Sequence, residues 1–132
     1  MMKVAIFENE FNAIKTSFDG FNLLYFNNEL KYEIFSSSQS FGDLSNLVNF
    51  SVALVDIDLS VKSHMDGFQI LSQIQKLDSD KIKIIVLTGH ISIREKLKSL
   101  NLPEYPIISK PINLSTIKTA FDYYHLSPKT SA

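Results

Sequence analysis

Short, unbroken apolar runs alternate along this chain with longer stretches in which apolar residues recur every third or fourth position. Val4-Ala5-Ile6-Phe7 has the length of a buried strand, and Phe11, Ile14 and Phe18 follow it at helical spacing. Tyr32-Glu33-Ile34-Phe35 predicts a second strand, and Phe41, Leu44, Leu47 and Val48 predict a second helix. Val52-Ala53-Leu54-Val55 predicts a third strand running straight into Asp56, followed by a helix marked by Phe68, Leu71, Ile74 and Leu77. Residues 82–87 predict the fourth strand, and Ile93, Leu97 and Leu100 a short fourth helix. Ile107-Ile108 predicts a brief fifth strand, and Leu114, Ile117, Phe121 and Tyr124 a final helix that Asn113 is placed to cap.

Continuous apolar strands alternating with amphipathic helices imply a parallel sheet covered on both faces. Right-handed crossovers then favour an open, doubly wound α/β fold built from five βα units. Such sheets carry their chemistry at the carboxyl ends of the strands, so the residues that matter are those just after each apolar run.

Composition narrows the function classes. The 132 residues suit one domain, expected over residues 1–126, with residues 127–132 read as a tail or the start of a linker. Hydrophobic residues make up 45% of the chain, enough for a real core. A formal net charge of −1 argues against nucleic-acid binding, which needs clustered Lys and Arg. No basic amphipathic stripe suggests a membrane surface. The absence of Cys excludes a thiol nucleophile, a thiolate metal site and a disulfide framework. The first apolar run is too short for a signal-peptide core and ends at Glu8, so a cytoplasmic location is expected.

The strand-end residues form a chemically coherent set. Glu8, Asn9 and Glu10 follow the first strand; Asp56, Ile57 and Asp58 the third; Thr88, Gly89 and His90 the fourth; Ser109, Lys110 and Pro111 the fifth. Carboxylate and amide oxygens suit a hard cation such as Mg²⁺. A carboxylate beside such a cation can attack a phosphoryl group and form an acyl phosphate. An ammonium and a hydroxyl can hold the phosphoryl oxygens as charge develops on them. His64, His90 and His125 are scattered, without metal-ligand spacing.

Taken in order, Val-Ala-Ile-Phe-Glu8-Asn9-Glu10, Leu-Val-Asp56-Ile-Asp-Leu59, Met65-Asp66-Gly67, Val-Leu-Thr88-Gly89-His90 and Lys110-Pro111 resemble the receiver domain of two-component response regulators. The resemblance spans about residues 3–124 and implies a flavodoxin-like (βα)5 fold. It implies that Asp56 is the phosphoacceptor, Thr88 the switch hydroxyl and Lys110 the site lysine, with the bond to Pro111 cis. It places Glu8 and Asn9 at the family's acidic metal-binding pair and the Asp58 main-chain carbonyl as a further Mg²⁺ ligand. It also implies a histidine kinase or phosphotransfer protein as phosphodonor, and a downstream protein or a separate output domain as target.

The chain departs from the family at several positions. Glu8-Asn9 replaces two aspartates, which predicts weaker metal binding. Ser60 stands where the family usually has proline, and Val61-Lys62-Ser63-His64 lengthens the loop. Ile107 occupies the place of the usual aromatic switch residue, with Tyr105 two positions earlier. These departures keep open a receiver that binds partners without being phosphorylated. A third reading is a phosphatase of the haloacid dehalogenase type, for which Asp56-Ile57-Asp58 would supply nucleophile and acid/base. Against it, the motif lies in the third strand and no later acidic pair follows for the metal.

Overall fold

The computed structural model describes residues 2–59 and 61–128. Strands β1 (Met2–Phe7), β2 (Leu30–Phe35), β3 (Val52–Asp56), β4 (Ile84–Thr88) and β5 (Ile107–Ser109) pair in parallel in the order β2-β1-β3-β4-β5. The expected doubly wound α/β sheet is therefore the one that forms. The chain winds outward in both directions from β1 and β3, so the crevice between their carboxyl ends is the topological switch point.

Alternation along the strands divides the core in two. Val4, Ile6, Val52, Leu54, Ile85, Leu87 and Ile108 face α1 (Lys15–Phe26) and α5 (Leu114–Tyr123), whose Phe18, Phe21, Phe26, Ile117 and Phe121 are buried against them. Ala5, Phe7, Ala53, Val55, Ile84 and Val86 face α3 (Gly67–Lys76) and α4 (Ile93–Ser99), through Ile70, Leu71, Ile74, Ile93 and Leu97. Burial of each large apolar side chain contributes about 1.5–3 kcal/mol, and it fixes the strand register: a one-residue slip would exchange the two faces.

Helix ends follow their capping residues. Asn113 accepts from the Thr116 N–H at 3.0 Å and starts α5 as expected. Asp66 accepts from the Gln69 N–H at 2.8 Å, and the Gln69 side chain returns the bond to the Asp66 N–H at 2.9 Å, starting α3. Gly67 is required there: a Cβ would fall on the Asp56 carbonyl oxygen and 2.5 Å from Ile57 Cα. The Lys110-Pro111 bond is cis, as the resemblance implied.

Several element boundaries differ from the hydrophobic pattern; β1 and β2 begin two residues earlier than their apolar runs suggest, at Met2 and Leu30. The second helix is not continuous over Phe41 to Val48: α2 covers only Ser38–Phe41, and a 3-10 segment follows over Leu44–Asn49. Gly42 at φ +92° ends α2, and the Asp43 carboxylate, accepting from the Ser45 N–H at 3.0 Å, starts a separate turn. Likewise Phe11 belongs to a 3-10 turn (Phe11–Ala13) rather than to α1, although its ring still packs on Phe18 and Tyr32. Strand β4 begins at Ile84, two residues later than the apolar run suggests. In the two helical cases side-chain spacing signalled burial, while local hydrogen bonds set the backbone. Ser60 lies outside the described residues, as do Lys129 to Ala132 of the expected tail.

Candidate functional site

Glu8, Asp56, Thr88 and Lys110 lie at the carboxyl edge of β1, β3, β4 and β5. The parallel register pairs Phe7 with Val55, Asp56 with Leu87 and Leu87 with Ile108, so Glu8 and Asp56 end their strands at one level, with Thr88 one residue and Lys110 two residues further along. Glu8, Asp56 and Thr88 are at most 2% exposed, a rare degree of burial for two carboxylates. Lys110 makes it tolerable. Its ammonium donates to Glu8 Oε2 at 2.8 Å and to Asp56 Oδ2 at 2.9 Å. The remaining oxygens are bound by the main chain: Glu8 Oε1 accepts from the Glu10 N–H at 3.0 Å, and Asp56 Oδ1 from the Asp58 N–H at 2.9 Å.

The electrostatics follow from this packing. Burial raises the Glu8 pKa above its usual value, and the hydrogen bond with Asp56 pushes the same way; the Lys110 and Glu10 contacts only partly offset them. Burial works against the Lys110 ammonium, but the hydrogen bonds to Glu8 and Asp56 outweigh it and raise its pKa. The group is thus two carboxylates held around one cation, and it carries net negative charge when all are ionised.

The other sequence-predicted residues sit at the rim. Asn9 is exposed in the turn after β1 and lines a shallow depression with Glu8, Glu10 and Phe11. Asp58 keeps its main chain against Asp56, while its exposed side chain turns to His90, with Oδ2 2.8 Å from His90 Nε2. Thr88 Oγ1 accepts from the His90 N–H at 2.9 Å. His64 and His125 are exposed; His64 lies in the loop between β3 and α3, where its N–H donates to Gln39 Oε1, and His125 lies just past α5. Ile107 is half-buried beside Gly89, His90, Arg94, Ser109 and Lys110, along a groove of about 490 Å³. The direct Glu8–Lys110 ion pair and the Asp58–His90 pair were not foreseen from sequence. The only available signal was position: each lies at, or two residues beyond, a strand-end site residue.

Among the described residues no group of three or more His, Cys, Asp and Glu is arranged to hold a metal ion. A cation here would rely on the Glu8 and Asp56 carboxylates, with neutral oxygens from Asn9 and the Asp58 carbonyl. That hard-oxygen donor set fits Mg²⁺, which takes one or two carboxylates and keeps several waters.

Comparison with known proteins agrees with the fold. Solved structures sharing the fold include a CheY-like response regulator receiver domain from Methanospirillum hungatei JF-1. It has a TM-score of 0.69 and 22% identity, over 94% of this chain and 93% of that one. The signal receiver domain of a DNA-binding response regulator from Colwellia psychrerythraea 34H matches with a TM-score of 0.70 and 21% identity, over 94% and 98%. A response regulator from Burkholderia pseudomallei, solved with a phosphorylated aspartic acid, a calcium ion and citrate, matches with a TM-score of 0.65 and 17% identity, over 91% and 66%. The family model of the response regulator receiver domain matches residues 21–122, and the chain belongs to that family.

Proposed function

We propose that this chain is a phosphoacceptor switch of two-component signalling, with residues 1–126 as the switching unit and the cytoplasm as its setting. The observation that carries the reading is the buried Asp56 carboxylate held 2.9 Å from the Lys110 ammonium at the switch point of the sheet. In the reaction, an Asp56 oxygen attacks the phosphorus of a phosphohistidine on a histidine kinase or phosphotransfer protein. A P–O bond forms as the P–N bond breaks, and the donor imidazole leaves. Lys110 balances negative charge that builds on the phosphoryl oxygens. Thr88, on the adjacent strand, offers a hydroxyl that can donate to one of those oxygens. Water later cleaves the acyl phosphate and returns Asp56. Mg²⁺, held by Glu8, Asn9, Asp56 and the Asp58 carbonyl, would supply further charge neutralisation. The chain turns over no separate substrate in this scheme; its output is a changed surface for a downstream protein or an output domain.

With Ile107 at the usual aromatic position, the signal leaves through the segment spanning residues 88–100. Intact-mass analysis after incubation with acetyl phosphate and Mg²⁺ tests the proposal. One phosphoryl adduct is expected on the wild type and none on Asp56→Asn; equal adducts on both refute it. A second reading, a binding module that is not phosphorylated, is favoured by the neutral Asn9 and by the prior engagement of both carboxylates with Lys110. Failure of the wild type to take up phosphate while retaining its fold would establish that reading instead. The haloacid dehalogenase reading fits poorly, because the Asp58 carboxylate that would serve as acid/base is turned to His90.

A further inference from the structure

The two loops that leave the site are held very differently. The loop between β3 and α3 is fastened at several points. Ile57 N–H donates to the Leu87 carbonyl at 3.0 Å, and Gly67 N–H to the Ile57 carbonyl at 3.3 Å. Its middle is tied to α2. Ser38 N–H donates to Ser63 Oγ at 2.8 Å, Met65 N–H to Ser38 Oγ at 3.0 Å, and His64 N–H to Gln39 Oε1 at 2.8 Å. Ser38 is 2% exposed, so its own two bonds in this bracket are shielded from water, while the Gln39–His64 bond lies at the surface.

The loop between β4 and α4 has little of this. A Cβ on Gly89 would meet nothing within 4 Å, Ile91 is fully exposed, and the Ser92 N-cap makes no side-chain capping bond. Two contacts of His90 hold it. The His90 N–H donates to Thr88 Oγ1 at 2.9 Å, and Nε2 lies 2.8 Å from Asp58 Oδ2. Asp58 in turn donates its N–H to Asp56 Oδ1. Asp56 and Thr88 are therefore each gripped by the main-chain N–H two residues on, and the side chains of those two gripping residues are joined to each other.

We propose that the Asp58–His90 pair is a latch that fastens the loose β4–α4 loop to the bracketed β3–α3 loop and favours the resting state of the switch. This inference rests on the phosphoacceptor reading above. When Thr88 rotates its hydroxyl toward a phosphoryl oxygen on Asp56, Oγ1 leaves the His90 N–H, and the Gly89–Ile91 backbone shifts once that tie is gone. While His90 is tied to Asp58 that backbone is held back. A contact made in only one of two states shifts their equilibrium by its own free energy. The two side chains are 56% and 62% exposed, so water and salt screen the pair and its effect is small: about twofold to fivefold in an equilibrium constant. Asp58 accepts from a neutral imidazole protonated on Nε2 as well as from a charged one, so the latch does not need a protonated His90.

The test uses the full chain as His90→Ala, His90→Gln, Asp58→Ala and the double variant. In the unphosphorylated protein, amide exchange at Gly89, His90 and Ile91 should quicken by about two- to fivefold in His90→Ala. His90→Gln should recover much of the protection, because its amide can still donate to Asp58. In the Asp58→Ala background, His90→Ala should add nothing. Beryllofluoride with Mg²⁺, mimicking the acyl phosphate, should bind His90→Ala more tightly than the wild type by the same factor. Unchanged exchange at those amides, an undiminished effect of His90→Ala without Asp58, or equal beryllofluoride affinity in wild type and variant overturns the latch. No beryllofluoride binding by the wild type overturns the phosphoacceptor reading, and the latch with it.

Discussion

Replacing Lys110 by Met removes the one cation between two buried carboxylates while keeping much of the side-chain volume. Two charge-assisted hydrogen bonds are lost, at 2.8 and 2.9 Å, leaving Glu8 Oε2 and Asp56 Oδ2 without their donor. Breaking a fully buried ion pair from one side costs about 3–5 kcal/mol. The Lys110 side chain is 30% exposed, so water can reach part of the gap, and a loss of about 2–3 kcal/mol near neutral pH is expected. The pH dependence has a definite sign. Glu8 already has a raised pKa, which means that ionised Glu8 costs stability above that pKa and the cost is relieved as pH falls through it. Without Lys110 the Glu8 pKa rises further, so the destabilisation should be smaller at mildly acidic than at neutral pH. Glu8→Gln in the same background should recover stability by removing the unpaired carboxylate. Urea unfolding of wild type, single and double variants at both pH values measures all three terms. A loss below about 0.5 kcal/mol at neutral pH, or one that grows on acidification, would refute the account of the cluster.

Two further outcomes follow from the same geometry. Asn9→Asp should tighten Mg²⁺ binding in a metal titration, because it restores a negative charge near the ion; unchanged or weaker affinity would remove Asn9 from the metal's surroundings. Gly67→Ala should destabilise the fold by about 1–3 kcal/mol, since its Cβ would meet the main chain of Asp56 and Ile57; an unchanged unfolding midpoint would contradict that packing.

The five strands, the parallel sheet and its two covered faces were legible in the sequence because burial writes itself as apolar runs with strand and helix periods. The strand-end chemistry was legible too, since parallel α/β sheets gather their loops at one edge, so Asp56, Thr88 and Lys110 had to converge if the strands were placed correctly. Periodicity could not show where backbone hydrogen bonds interrupt a helix. Gly42 and Asp43 split the second one although Phe41, Leu44 and Leu47 keep their apolar spacing. Nor could it show how the converging groups would share their partners. Lys110 bridging Glu8 as well as Asp56, Asp58 turning outward to His90, and Ser38 and Gln39 clasping the loop after Asp56 all join residues on different strands and loops. The Lys110–Glu8 contact alone spans 102 positions of sequence. Such contacts depend on distances of a few tenths of an ångström set by packing of the whole sheet. They are properties of the tertiary structure, whereas the residue types able to make them were already present in the chain.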